Sequence, residues 1–112
     1  MKQRRQREEA ERQRREEEHR RYQEAERRRL DDNRWRRFTE LAARWRQADE
    51  VRRFLAALDQ HPDVEGRLAN GETIADCLSW ARARLAAFDP LADGPASVFE
   101  DVLKITSWTY RE

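Results

Sequence analysis

The chain has 112 residues, of which 42% are charged and 38% hydrophobic, and its 24 basic and 23 acidic residues leave a formal net charge of +1. No apolar run approaches the roughly 20 residues that a membrane-spanning helix needs, and the charged N-terminus lacks the apolar segment of a signal peptide. One cysteine cannot form an internal disulfide bond. These figures predict one small domain without a membrane span, and we expect a cytoplasmic protein.

Residues 1–29 are nearly all Arg, Glu and Gln, and they cannot build a core. This segment holds 12 basic and 8 acidic residues, and after the initial methionine its apolar residues are Ala10, Tyr22 and Ala25. Opposite charges recur four residues apart, as in Glu8 and Arg12, and each such pair stabilises a helix by about 0.2–0.5 kcal/mol. We therefore predict a charged helical arm over residues 1–30 and a small helical domain over residues 31–112.

Three structures are open to the arm: a single solvated helix, a weak coiled coil, or a helix docked to a partner. A coiled coil needs apolar side chains at positions a and d of its heptads. The apolar seam of the following segment, continued backwards from Phe38, reaches almost only polar residues: Asp31, Arg27, Glu24, Arg20, Glu17, Gln13 and Ala10. This pattern favours a single charged helix.

The composition changes after the arm, where apolar residues recur at steps of mostly three and four, as in an amphipathic helix. The recurring residues are Trp35, Phe38, Leu41, Ala42, Trp45, Ala48, Val51, Leu55 and Leu58, and Phe54 widens their face. We expect this helix to run from about residue 33 to residue 60 and to end at Pro62. We interpret Asp31 and Asp32 as helix-capping residues, with one helix continuing from the arm as the alternative.

Two shorter helices follow a loop over residues 61–72. Thr73 with Asp76 three positions later predicts the cap of a helix that ends at Asp89, and Ser97 with Glu100 predicts a capping box for a third helix. We expect the aromatic tail, residues 106–110, to pack on the helices. The predicted fold is all-α: a long charged helical arm continues into a small helical domain with an antiparallel helix pair and a short third helix.

The motifs of these helices also occur together in a known group of proteins. Trp45-x-x-Ala48-x-x-Val51-Arg52 follows the Arg/Glu-rich helix, and a Trp80-Ala81 helix closes on Asp89-Pro90-Leu91. This order resembles the C-terminal region of uncharacterised bacterial proteins with a charged Arg/Glu helix, a Trp-x-x-Ala-x-x-(Ile/Val)-Arg helix and a Trp-Ala…Asp-Pro-Leu helix. The resemblance covers about residues 1–92. It implies no activity, but it does imply that the chain is the tail of a larger polypeptide.

No motif in the sequence predicts catalysis or cofactor binding. Cys77 lies on a predicted apolar stripe without a basic neighbour to activate it. His19, His61 and Cys77 lie in three separate segments, which is not the spacing of a zinc site. We expect no enzyme activity, no cofactor, no metal and no small-molecule substrate.

Two functions from different classes fit these features. The first is a non-catalytic helical interaction and oligomerisation module, with the arm as a spacer and the domain docking to a protein partner or to itself. A homodimer is expected, because helices of unequal length leave part of an apolar face uncovered. The expected contact residues are Trp35, Phe38, Trp45, Phe54, Leu55 and Leu58. The alternative is a nucleic-acid-binding module that uses Arg4, Arg5, Arg7, Arg12, Arg14, Arg15, Arg34, Arg36 and Arg37.

Interleaved glutamates make nucleic-acid binding the weaker choice, because the net charge over residues 1–29 is only +4. If arginines bound phosphates, the logarithm of the affinity would fall as the logarithm of the salt concentration rises. The slope would be roughly −0.9 for each phosphate neutralised. We predict binding to a mixed-sequence duplex no tighter than about 10 µM near physiological salt. Fluorescence anisotropy with a labelled duplex and an RNA hairpin measures this affinity. Submicromolar binding that is lost when Arg34, Arg36 and Arg37 are replaced by Gln would contradict the prediction.

Overall fold

The computed structural model describes residues 2–111, and this part of the chain contains three α-helices and no β-strand. Helix α1 spans Lys2–Asp59, α2 spans Ile74–Phe88 and α3 spans Pro95–Leu103. The prediction of an all-α fold with a long helical arm is therefore confirmed.

Helix α1 passes through Asp31 and Asp32 without interruption. Our interpretation of these aspartates as helix-capping residues is wrong, and both side chains are exposed on the surface of the helix. No glycine or proline occurs before Pro62, and most residues around the aspartates are good helix formers. The helix therefore continues until Asp59, shortly before the proline that cannot extend it.

The two short helices begin in different ways. The Thr73 hydroxyl accepts a hydrogen bond from the backbone N–H of Asp76 at 3.1 Å, so the predicted cap of α2 is confirmed. The predicted capping box at Ser97 is wrong, because α3 begins two residues earlier at Pro95. Proline suits the first helical position, since its missing N–H would have no partner there. Gly94 precedes it with a φ of 90°, a left-handed conformation that favours glycine.

The chain divides into two compact units, which we name by their main elements. The arm unit consists of residues 1–36 and 105–112, and the hairpin unit consists of residues 37–104. The C-terminal tail thus belongs with the first part of α1. The sequence-predicted boundary between residues 30 and 31 stays a prediction.

In the hairpin unit, α1 and α2 pack as an antiparallel pair. The Arg44 guanidinium lies 4.9 Å from the centre of the Phe88 ring, and Asp59, near the end of α1, pairs with Arg82 near the middle of α2. The later residue of α1 thus contacts the earlier residue of α2, so the two helices run in opposite directions. Arg52 Nη1 also donates to Asp89 Oδ2 at 2.6 Å, which joins α1 to the C-terminal cap of α2.

The buried core of the hairpin unit is small. Its members, among the described residues, are Leu41, Ala48, Leu55, Leu78 and Val102. The three from α1 are seven residues apart, or about two turns, so they lie on one stripe of the helix. No large side chain among residues 2–111 is fully buried. The unit therefore has only a modest hydrophobic contribution to its stability.

The first part of the arm contributes nothing to a core, since every residue from 2 to 25 is exposed. Deleting residues 2–21 should shift the thermal unfolding midpoint by no more than a few degrees at a fixed protein concentration. Deleting residues 2–29 should lower it further, because this deletion also removes Glu26 and Arg29, which are half-buried near the tail. A large destabilisation by the shorter deletion would show that the exposed residues make contacts that stabilise the fold.

Candidate interaction surfaces

Ion pairs within the exposed arm compensate only part of its charge. Arg4 Nε lies 3.6 Å from Glu8 Oε1, and Arg12 Nη2 lies 3.7 Å from Glu9 Oε1. All four side chains are at least 62% exposed, so each pair contributes little to stability. The Arg15 Nε group donates to the carbonyl of Glu11, one turn back on the same helix. The arm is therefore a solvated helix with alternating charge.

The arginines proposed for nucleic-acid binding do not share one environment. Six of them lie in the exposed part of the arm: Arg4, Arg5, Arg7, Arg12, Arg14 and Arg15. Arg34 is half-buried, and the Arg36 guanidinium lies 3.9 Å from the centre of the Tyr110 ring. Arg37 belongs to the hairpin unit, where it pairs with Asp101. Arg36 and Arg37 are thus engaged by other groups of the protein.

The tail lies against α1 within the arm unit, mainly through polar contacts. Asn33 Nδ2 donates to the carbonyl of Thr106 at 3.0 Å. Glu26 Oε1 lies 3.7 Å from Arg111 Nη2, and Glu26 also pairs with Arg29. A hydrogen bond from Ser107 lowers the pKa of Glu26, and the charges of Arg29 and Arg111 lower it further against an opposing effect of desolvation. Glu26 therefore favours its charged form, which suits its contacts with Ser107 and Arg111 of the tail.

In the hairpin unit, Arg37 and Asp101 form the main ion pair between α1 and α3. Arg37 Nε donates to Asp101 Oδ1 at 2.6 Å, and Arg37 Nη2 donates to Asp101 Oδ2 at 3.1 Å. These two parallel bonds match the geometry of a guanidinium to that of a carboxylate. They lower the pKa of Asp101 and raise that of Arg37. The pair fixes the start of the hairpin unit to the end of α3.

One apolar groove lies on the α3 side of the hairpin unit. It has a volume of about 170 Å³ and is lined by Phe38, Leu41, Ala42, Trp45, Pro90, Leu91 and Val98. The Phe38 and Phe99 rings stack beside it with centroids 6.0 Å apart. Helix α3 thus covers part of the apolar surface that begins at Phe38, and Trp45 remains partly exposed at the groove.

A second groove lies between α1 and α2. Its volume is about 440 Å³, and its lining residues are Gln47, Val51, Trp80, Ala81, Arg84, Leu85 and Phe88. Trp80 is 67% exposed. Phe54, 63% exposed, follows Trp45 by nine residues, which is two and a half turns, so these two aromatic residues project from opposite sides of α1. Trp45 lines the first groove and Gln47 the second, and these residues are two positions apart on α1, so the two grooves belong to different faces of the unit.

The six predicted contact residues lie in three kinds of environment. Trp35 and Phe54 project into solvent at 65% and 63% exposure, and Trp45 is also exposed. Phe38 and Leu58 are half-buried, whereas Leu55 belongs to the core. The sequence period does not distinguish a core residue from a surface residue one position away, as Phe54 and Leu55 show. The contact residues predicted from the sequence also do not include Trp80, although this side chain is exposed.

No group of three or more His, Cys, Asp or Glu side chains within residues 2–111 could hold a metal ion. Cys77 is half-buried, and its thiol lies 3.9 Å from Glu72 Oε2. His61 Nδ1 accepts a hydrogen bond from the backbone of Asp63. None of the helices in the described part of the chain has both the length and the apolar composition that crossing a bilayer requires.

Comparison with protein-family models found no match, and comparisons with curated proteins and with solved structures found none either. The resemblance to the C-terminal region of uncharacterised bacterial proteins therefore stays a prediction.

The pair between Arg37 and Asp101 predicts how stability depends on pH. Because the folded state lowers the pKa of Asp101, the pair stabilises the fold above the ordinary aspartate range, and this stabilisation is lost as the pH falls below about 4. Replacing Asp101 with Asn should cost less than about 1 kcal/mol at neutral pH, because the aspartate is 39% exposed. The difference from the wild-type chain should disappear in acid.

Urea unfolding of the wild-type and Asp101→Asn chains over a pH series measures this difference. Asp93→Asn is the control, since Asp93 is exposed and makes no ion pair among residues 2–111. An equal effect of both substitutions, or a difference that persists in acid, would mean that the pair does not stabilise the fold.

Proposed function

We propose that the chain is a non-catalytic helical module that self-associates through its hairpin unit, with the arm as a charged spacer. The observation that carries this proposal is the contrast between a small core and a large apolar surface. Five side chains are buried, whereas ten large hydrophobic residues among 2–111 are exposed. Those in the hairpin unit are Trp45, Phe54, Leu68, Trp80, Leu91, Phe99 and Leu103.

Exposed aromatic side chains favour association because burying them removes apolar area from water. An aromatic residue can bury about 150–250 Å², so Phe54 and Trp80 alone keep roughly 250 Å² in contact with solvent. At about 25 cal/mol per Å², covering this area is worth roughly 6 kcal/mol before the costs of association. Monomeric proteins rarely expose large contiguous apolar patches, and such patches are typical of interaction sites.

The arm supports the spacer part of the proposal. Its exposed residues 2–25 would span about 35 Å as a helix, and ion pairs one turn apart support this helix without a core. If the chain is the tail of a larger polypeptide, as its resemblance implies, the arm would separate the hairpin unit from the preceding part. Nucleic-acid binding is not favoured, since Arg36 and Arg37 are engaged with Tyr110 and Asp101.

Sedimentation velocity at micromolar concentration should show a dimer or a larger species of the full chain. Phe54→Arg should weaken this association while leaving the helix content unchanged, because Phe54 is exposed. Leu55→Arg should instead unfold the hairpin unit, because Leu55 is only 6% exposed. Circular dichroism separates these two outcomes. A wild-type chain that remains a compact monomer over the whole concentration range would contradict the proposed function.

A further inference from the structure

Helix α1 carries a second stripe of regularly spaced residues, separate from the buried one. Its members follow at steps of four, three, four and three: Ala43, Gln47, Glu50, Phe54 and Ala57. All five are exposed. This is the spacing of positions that contact a neighbouring helix in a bundle. The three α1 core residues lie on the other side of the helix.

Helix α2 carries a matching stripe at steps of three, four and three: Cys77, Trp80, Arg84 and Ala87. Gln47 from α1 lies with Trp80 and Arg84 in the lining of one groove, so the two stripes meet on the same face of the helix pair. We call these nine residues the open face. Helix α3 packs against the other side of α1, through Phe38 and Phe99.

The open face contains one acidic and one basic residue, Glu50 and Arg84. Neither makes an ion pair within 4 Å among residues 2–111. Of the arginines beside this stripe on α1, Arg53 pairs with Asp49, whereas Arg46 is exposed one turn before Glu50. The nine residues of the open face themselves therefore include one charge of each sign, Glu50 and Arg84, without an ion pair in the described part of the chain.

We propose that the open face is the contact surface between two copies of this chain that are related by a twofold axis. This inference rests on the proposed self-association. A twofold interface uses the same patch on both copies, so the patch must be complementary to itself. The open face meets this condition, since Glu50 of each copy can pair with Arg84 of the other. It also carries both a projecting aromatic residue, Trp80, and the groove beside it.

The resulting assembly is a four-helix bundle made from two helix pairs. Alanines at positions 43, 57 and 87 allow the helices to approach closely, and Phe54 and Trp80 provide the apolar contact. The stripe on α1 spans about 21 Å, and a pair of helices is about 20 Å wide. An interface of this size is at the small end of specific protein contacts, so we expect a weak dimer.

Charge reversal tests this pairing in the full chain. Glu50→Arg and Arg84→Glu should each weaken the dimer by about tenfold or more, because each places like charges opposite one another. The double variant should restore the wild-type dissociation constant, measured by sedimentation equilibrium. Single variants that dimerise like the wild-type chain, or a double variant that stays as weak as the single ones, would overturn the proposal.

A second pair of variants tests the location of the interface without relying on charge pairing. Phe54→Arg should dissociate the dimer, whereas Leu103→Arg should not, although both residues are 63% exposed in the hairpin unit. If circular dichroism shows that a charge-reversal variant has lost helix content, the comparison of Phe54→Arg with Leu103→Arg tests the location of the interface by itself. The reverse result would place the interface on α3 and overturn the open face while leaving self-association intact. A monomeric wild-type chain would overturn both proposals.

Discussion

The buried stripe of Leu41, Ala48 and Leu55 on α1 determines how much of the hairpin unit can be buried. Helix α1 is longer in this unit than either of its partners, since α2 has 15 residues and α3 has nine. Two short helices cover one stripe of α1 and leave the rest of its apolar surface in water. The small core and the exposed aromatic residues thus have the same cause, which is that each of the three helices has only part of its surface covered by another element.

The two units are held by different interactions. The hairpin unit combines its small core with ion pairs across the helices, such as those of Arg37 with Asp101 and Arg52 with Asp89. The arm unit has no buried side chain among its described residues, and its tail is held by hydrogen bonds, by Glu26 and by the ring of Tyr110 beside Arg36. Salt weakens such exposed charge pairs and leaves apolar burial largely unaffected, so the two units should respond differently to ionic strength.

The sequence predicted those parts of the fold that depend on local chemistry. The period of apolar residues predicts helices, and Thr73 predicts a cap because its hydroxyl needs only the N–H three residues later. The same reasoning was wrong at Ser97 and Asp31. In the first case Pro95 begins the helix earlier, and in the second no breaking residue interrupts α1.

What the sequence could not predict depends on which elements meet in space. Phe54 and Leu55 are adjacent and both apolar, and only the position of α2 and α3 makes one exposed and the other buried. Glu26 is one of eight glutamates in a run of alternating charge, so its contact with the tail has no sequence signal. The open face could not be predicted from the sequence either, because its alanines, glutamine and charges are typical of an ordinary solvated helix surface.

The dependence of the thermal unfolding midpoint on protein concentration shows whether a second copy of the chain stabilises the folded state. A folded dimer that unfolds to separate chains is stabilised by mass action, so its midpoint rises with concentration. We expect a rise of several degrees between micromolar and submillimolar chain concentration, with a cooperative transition throughout. A midpoint that stays constant over this range would show that a second copy does not stabilise the fold, and it would refute the proposed self-association.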